Sequence, residues 1–265
     1  MNKNFIMLSG LPRSGSTVLS SMLNQHPAIH ATTTSPIIDL ITIINDNWPN
    51  ISQAIKNPEP TQYANMITGL IDGAYQHIPE QVIVDKNRLW PRFSKLMHYA
   101  FNTKPKIICT VRSIPDILAS YILLLNKNPQ KVSFVDDDLV QLNLQINMKN
   151  RCKILWEKYT MHPYTSLRIG YKSNDIDMCL IEYDEIVTEP QLVIDKISNF
   201  IGIDTYQINS TTLQSMDEND AFHGGLQGLH EIRSVVQKTS PDPAQVIGND
   251  LVKYYASLKS EFWRK

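Results

Sequence analysis

Leu8-Ser9-Gly10-Leu11-Pro12-Arg13-Ser14-Gly15-Ser16-Thr17-Val18-Leu19 is the stretch that decides the fold. The apolar run Phe5-Ile6-Met7-Leu8-Ser9 reads as a buried strand. Behind it, Thr17 to Gln25 places Val18, Leu19, Met22 and Leu23 on one helical face and stops before Pro27. Between strand and helix, Gly10 and Gly15 have the G-x-x-x-x-G spacing of a phosphate-binding loop. Such a loop wraps an anion with backbone N–H groups, and the helix dipole adds to the attraction. Ser14, Ser16 and Thr17 supply hydroxyls there, and Arg13 supplies charge and a donor fork. An NTP-hydrolysing loop would carry Lys where Ser16 stands, and only Asp85 ends an apolar strand as a Mg²⁺-binding Asp would. The loop is therefore expected to hold a nucleotide phosphate without the usual γ-phosphate machinery.

Outward from this unit, short apolar runs alternate with amphipathic ones. Val82-Ile83-Val84-Asp85, Lys106-Ile107-Ile108-Cys109-Thr110-Val111 and Met178-Cys179-Leu180-Ile181-Glu182-Tyr183 read as further strands. Nearly continuous apolar strands suit a parallel sheet covered on both faces. Helices are expected over Pro91–Phe101, over Ile114–Asn126 with Ser113 as N-cap, and from Asp136 through Leu139, Leu142 and Ile146 to Trp156. Two more are expected from Glu189-Pro190 to Gly202 and over Asn249–Phe262. The alternation predicts a three-layer α/β fold, P-loop-like, with a central parallel sheet flanked by helices, as a single domain over 1–265. Residues 215–248 lack periodicity and hold Gly224, Gly225, Gly228, Pro241 and Pro243, which predicts a functional or disordered loop.

Composition narrows the function. Lys+Arg number 25 and Asp+Glu 26 in 265 residues, so the chain lacks the cationic excess of a general nucleic-acid binder. No apolar run reaches the roughly 18–20 residues of a membrane span, and no signal-peptide h-region follows Met1. Cys109, Cys152 and Cys179 form no C-x-x-C pair, so buried thiols in a reducing cytoplasm are expected.

A second anion site follows the strand at 106–111. Arg112 stands at its carboxyl end, where α/β folds bind ligands, and Ser120 lies two turns into the next helix. With the first loop this completes a resemblance. Leu11-Pro12-Arg13-Ser14-Gly15-Ser16-Thr17 resembles the 5′-phosphosulfate loop of sulfotransferases, which use 3′-phosphoadenosine-5′-phosphosulfate (PAPS). Its form is that of the tyrosylprotein sulfotransferases and their bacterial relatives, and Asn24-Gln25-His26-Pro27 also fits them. Val111-Arg112 through Ser120 is similar to the family's 3′-phosphate site, V-R-x-P-x-D-x-x-x-S, with Pro115 one place late. Val84-Asp85-Lys86-Asn87 looks like the family's strand ending in a Lys near the transferring group. Tyr183 and Phe200-Ile201-Gly202 resemble its nucleotide-side stretch, and Glu231-Ile232-Arg233-Ser234 with Lys238 its late loop.

The resemblance implies a sulfotransferase-type fold and transfer of a sulfuryl group from PAPS to an acceptor hydroxyl or amine, leaving adenosine 3′,5′-bisphosphate. Lys86 and Arg13 would stabilise charge on the departing oxygen, with Ser234 as hydrogen-bond donor. Gly10, Pro12, Arg13, Ser14, Gly15, Ser16, Thr17, Arg112, Ser120, Tyr183 and Lys238 would bind the nucleotide, and no metal is required. The tyrosylprotein branch has a Glu pair where this chain has Thr33 and Thr34. His30, Asp39 and Asp85 stand as substitute bases, none of them assigned. The acceptor is left open among small molecules, carbohydrates and peptides, and residues 29–80 and 125–175 are expected to shape its pocket. Trp48, Tyr63, Tyr75, Trp90 and Tyr121 could line that pocket or belong to the core. Two rivals stand beside this: a P-loop-like kinase or NTPase with an altered loop, and a non-catalytic nucleotide-binding protein.

Overall fold

The structure, a computed structural model, describes residues 3–128, 133–213, 228, 234–238, 241–258 and 261–264. Its first half runs β1 (Asn4–Gly10), α1 (Ser16–Leu23), β2 (Ile29–Ala31), α2 (Ile37–Asn47), α3 (Ser52–Lys56), α4 (Pro60–Ala74), β3 (Val82–Lys86), α5 (Ser94–Phe101), β4 (Lys106–Val111) and α6 (Ile114–Lys127). Then come α7 (Phe134–Gln141), α8 (Met148–Ile154), α9 (Met161–Tyr171), β5 (Asp177–Glu182), α10 (Tyr183–Thr188), α11 (Pro190–Ile201), α12 (Pro243–Ile247) and α13 (Asn249–Ser257).

The five strands form one parallel sheet in the order β2-β3-β1-β4-β5. Alternate residues of each strand enter different cores, which is why the runs are apolar throughout rather than every second residue. Phe5, Met7, Ile83, Ile107 and Cys109 pack under α2, α4, α5, α6 and α9. Ile6, Leu8, Val84, Ile108 and Ile181 pack under α1 and α11 on the opposite face. After β1 the chain builds β2 and β3 on one side, then crosses to build β4 and β5 on the other. The carboxyl ends of β1 and β4 therefore flank a topological switch point, where open α/β sheets bind ligands.

The expected elements are present with several corrections. The strand Ile29–Ala31 was not anticipated; Asn24 supports it, donating from Nδ2 to the Ala31 carbonyl at 2.8 Å and accepting from the Ala31 N–H at 2.7 Å. The long helix expected from Asp136 to Trp156 is two helices. Asn143, left-handed at φ 53°, follows the end of α7, and Asn147 caps α8 by accepting from the Asn150 N–H. Leu142 and Ile146, expected within that helix, lie between the two and are exposed at 57% and 51%. A single 3₁₀ turn, Trp90–Phe93, precedes α5, and α13 ends at Ser257, leaving Phe262 and Trp263 in a separate turn that packs on Tyr164 and Tyr171. Ser113 does cap α6, accepting from the Asp116 N–H at 3.2 Å, and Gly202 closes α11 at φ 82°. Most of the loop expected over 215–248 lies outside the described residues; α12 occupies part of its end.

Candidate active site

The loop after β1 is built from its glycines outward. Gly10 has φ +148°, and a Cβ there would lie 2.3 Å from Thr110 Oγ1 and 2.4 Å from the Thr110 carbonyl oxygen. Only glycine lets the loop leave the sheet against β4. Leu11 N–H then donates to the Thr110 carbonyl at 2.9 Å. The Ser14 hydroxyl, expected to face the phosphate, is instead fully buried between the Leu11 carbonyl, the Thr110 carbonyl and the Thr110 hydroxyl. It locks the loop to β4, so the Ser14 hydroxyl serves the scaffold rather than a ligand. Pro12 is buried too, while Arg13, Gly15, Ser16 and Thr17 remain partly accessible. Gly15 is left-handed at φ 90° and caps α1, whose first residues, Ser16 to Val18, line the cavity described below.

Register brings the second anion site to the first. Gly10 pairs with Thr110 and Val111 with Glu182, so Arg112 emerges between the loop and Tyr183. Its Nη1 donates to the Arg13 carbonyl at 2.9 Å, and its guanidinium lies 3.9 Å from the centre of the Tyr183 ring. Arg13 in turn donates from Nε to Ser120 Oγ at 3.2 Å. Arg13, Gly15, Ser16, Thr17, Arg112, Ser120 and Tyr183 all line one cavity of about 390 Å³, within the usual size of a small-ligand site. Arg88 and Lys127 line it as well, and neither was singled out from the sequence. Among the described residues that line it there is no carboxylate. Burial lowers the pKa of both Arg13 and Arg112, and Arg13 is further disfavoured by the charges of Arg112 and Arg88. Gathered cations in a partly buried site create a demand that a polyanion meets.

Lys86 is buried at the end of β3 and donates to Thr17 Oγ1 at 2.9 Å, which joins it to the start of α1. Its backbone N–H donates to Thr32 Oγ1. Ser234 does not join this group: it is exposed, its carbonyl accepts from Leu213 N–H at 2.8 Å, and its neighbours Val235, Val236 and Gln237 line the cavity instead. Lys238 is exposed and engages Asp184 at 2.8 Å rather than standing in the cavity. Glu231, Ile232 and Arg233 lie outside the described residues.

The three candidate bases separate by strand face. Asp85 alternates with Lys86 and points to the other side of the sheet, fully buried, where Trp90 Nε1 donates to it at 2.7 Å and the Tyr75 hydroxyl bonds its second oxygen. Burial raises its pKa against the pull of these hydrogen bonds. Its partners are thus Tyr75 and Trp90. His30 pairs in register with Ile83, on the Asp85 face, with its ring 6.5 Å from that of Tyr75. Asp39 is exposed in the first turn of α2, with Oδ2 3.5 Å from Asn87 Nδ2. Of the aromatic residues considered for an acceptor pocket, Tyr75, Trp90 and Tyr121 belong to the core, while Trp48 and Tyr63 pair on each other at 5.3 Å. Among the described residues, no group of three or more His, Cys, Asp or Glu is placed to hold a metal ion.

These features can be set beside known proteins. Residues 3–238 match the family described as the sulfotransferase domain, and the chain belongs to that family. Protein-tyrosine sulfotransferase A of Caenorhabditis elegans is 20% identical over 261 residues, 97% of this chain and 62% of that protein. Protein-tyrosine sulfotransferase 1 of Danio rerio is 21% identical over 202 residues, 75% of this chain and 53% of the relative. The chain thus spans between half and two thirds of the length of these relatives. The fold is that of solved sulfotransferases. A mouse sulfotransferase complexed with PAP superposes with a TM-score of 0.54 at 15% identity, covering 100% of this chain and 86% of the other. The sulfotransferase of Alicyclobacillus acidocaldarius superposes at 0.50 with 14% identity, covering 97% and 92%.

Proposed function

We propose that the chain transfers a sulfuryl group from PAPS to an acceptor hydroxyl or amine and releases adenosine 3′,5′-bisphosphate. The observation that carries this is the shared cavity: the Arg13 loop and the Arg112–Ser120 pair open on one space that Arg13, Arg88, Arg112 and Lys127 line. Two anion sites on a single cavity suit a nucleotide phosphorylated at two positions. The neighbour complexed with PAP supports the same donor.

The donor supplies the sulfuryl group, whose bond to the bridging oxygen breaks as a bond to the acceptor forms. Backbone N–H groups from Gly15 onward and the α1 dipole would hold the 5′-phosphate. Arg112 and Ser120 would hold the 3′-phosphate, and Tyr183, stacked on Arg112, fixes the guanidinium plane. Lys86 and Arg13, already linked to loop and helix, would stabilise charge on the departing oxygen without reorganising. The acceptor proton needs a base. Of the three candidates, Asp39 alone is exposed, next to Asn87, which follows Lys86.

Acceptor class stays open among small molecules, carbohydrates and peptides. The names of the relatives favour a peptide, whereas Thr33 and Thr34 replace the acidic pair of that branch. Three buried free cysteines support a reducing, cytoplasmic setting.

Calorimetry with adenosine 3′,5′-bisphosphate in metal-free buffer tests the reading, with Mg²⁺-ATP as the contrast. Binding of the bisphosphate without metal supports it. Preference for Mg²⁺-ATP would replace it with a kinase or NTPase. Bisphosphate binding without transfer of label from PAPS to any acceptor would indicate a binding protein.

A further inference from the structure

The cavity holds more cation than the two anion sites use, and one of these extra groups has a definite place. Ser120, Leu123, Leu124 and Lys127 all line it. Their spacing is i, i+3, i+4 and i+7, so they form one stripe along α6. Lys127 is therefore on the wall that carries Ser120, about 10.5 Å further along the helix axis. Helical side chains lean toward the N-terminus, which directs the Lys127 ammonium back along the stripe toward Ser120.

The charge balance at this end calls for it. A phosphate monoester carries close to two negative charges near neutral pH. Arg112 is already shared with Asp116, 4.0 Å away, and Lys238 with Asp184, 2.8 Å away. Ser120 accepts from Arg13, which leaves its own O–H to donate but adds no charge. Lys127 is exposed and makes no ion pair among the described residues.

We infer that Lys127 is a nucleotide-binding residue that supplies the second cation for the 3′-phosphate, so that it selects 3′-phosphorylated adenosine over adenosine 5′-phosphate. This rests on the donor site proposed above. Being exposed at the last residue of α6, Lys127 can be changed without cost to the core.

The test is calorimetric titration of the full chain, wild type, Lys127→Gln and Lys127→Arg, with adenosine 3′,5′-bisphosphate and with adenosine 5′-phosphate. For a charge-assisted contact at a partly open site, Lys127→Gln should weaken the bisphosphate roughly tenfold and the monophosphate by less than about twofold. Lys127→Arg should regain most of the loss, and the tenfold gap should narrow in high salt. Unchanged bisphosphate affinity in Lys127→Gln overturns the inference, as does an equal loss for both nucleotides. A wild type that binds neither nucleotide overturns the donor site itself, and this failure shows before any substitution is made.

Discussion

Arg112 donates to the backbone carbonyl of Arg13 at 2.9 Å, so the residue at the end of β4 holds the loop at the end of β1. Charge and scaffold are joined in this contact. A cation expected at one phosphate also fixes the peptide that carries the cation expected at the other. The two anion sites should therefore fail together rather than independently.

Arg112→Ala should lower affinity for adenosine 3′,5′-bisphosphate by roughly a hundredfold, since it removes charged hydrogen bonds from a largely buried site. Adenosine 5′-phosphate should lose affinity too, because the Arg13 loop loosens. Calorimetry with both ligands checks this; an unaltered monophosphate affinity would contradict the coupling.

Lys86→Ala should cut turnover by roughly 10²–10³-fold, as expected for loss of one preorganised group at developing charge. Bisphosphate affinity should change much less, because the leaving group's full charge appears only during transfer. Single-turnover transfer from labelled PAPS, set against equilibrium binding, separates the two effects.

Gly10→Ala should destabilise the fold by at least about 3 kcal/mol, through overpacking at a left-handed backbone position. The added methyl meets the Thr110 backbone, which cannot move without disturbing the β1–β4 ladder. Urea denaturation against wild type measures the loss. A near-neutral result would mean that the loop leaves β1 by another path.

Asp85→Asn should change how stability depends on pH. Burial raises the Asp85 pKa, so the folded state retains a proton that the unfolded chain releases. Stability from this group is complete below the ordinary carboxylate range and declines as pH rises through the raised native value. Asn offers one acceptor oxygen and N–H donors, much as the protonated acid offers one acceptor and an O–H, so at low pH the variant should match wild type to within about 1 kcal/mol. Toward higher pH the variant should become the more stable of the two, because it carries no carboxyl to ionise in the core. Urea midpoints from pH 4 to 9 test this, and parallel curves would contradict it.

The strands were legible because burial on both faces leaves an unbroken apolar run; β4 has the bounds read for it, Lys106–Val111. The edge strand β2 escaped because a three-residue strand has no period, and its support is the Asn24 side chain rather than a pattern. The apolar positions at 139, 142 and 146 read as one helix because a left-handed Asn143 leaves little trace in sequence. In the site, the loop spacing pointed to Arg13, the strand end and following helix to Arg112 and Ser120, and the family resemblance to Tyr183; all four line the cavity. None of these could show that the Ser14 hydroxyl turns inward, a consequence of Thr110 on the adjacent strand. Arg88 follows Lys86 by two residues and Lys127 follows Ser120 by seven; the second interval, a full two turns of helix, was the available clue.

Arg13 sits at φ 59°, a left-handed geometry that glycine or asparagine would adopt with less strain. At this position ease of folding and chemical purpose pull in opposite directions. Any change that relaxes the main chain discards the guanidinium. A search for hardier variants that ranks candidates by melting temperature alone would thus be drawn to the substitution that empties the pocket of its first charge.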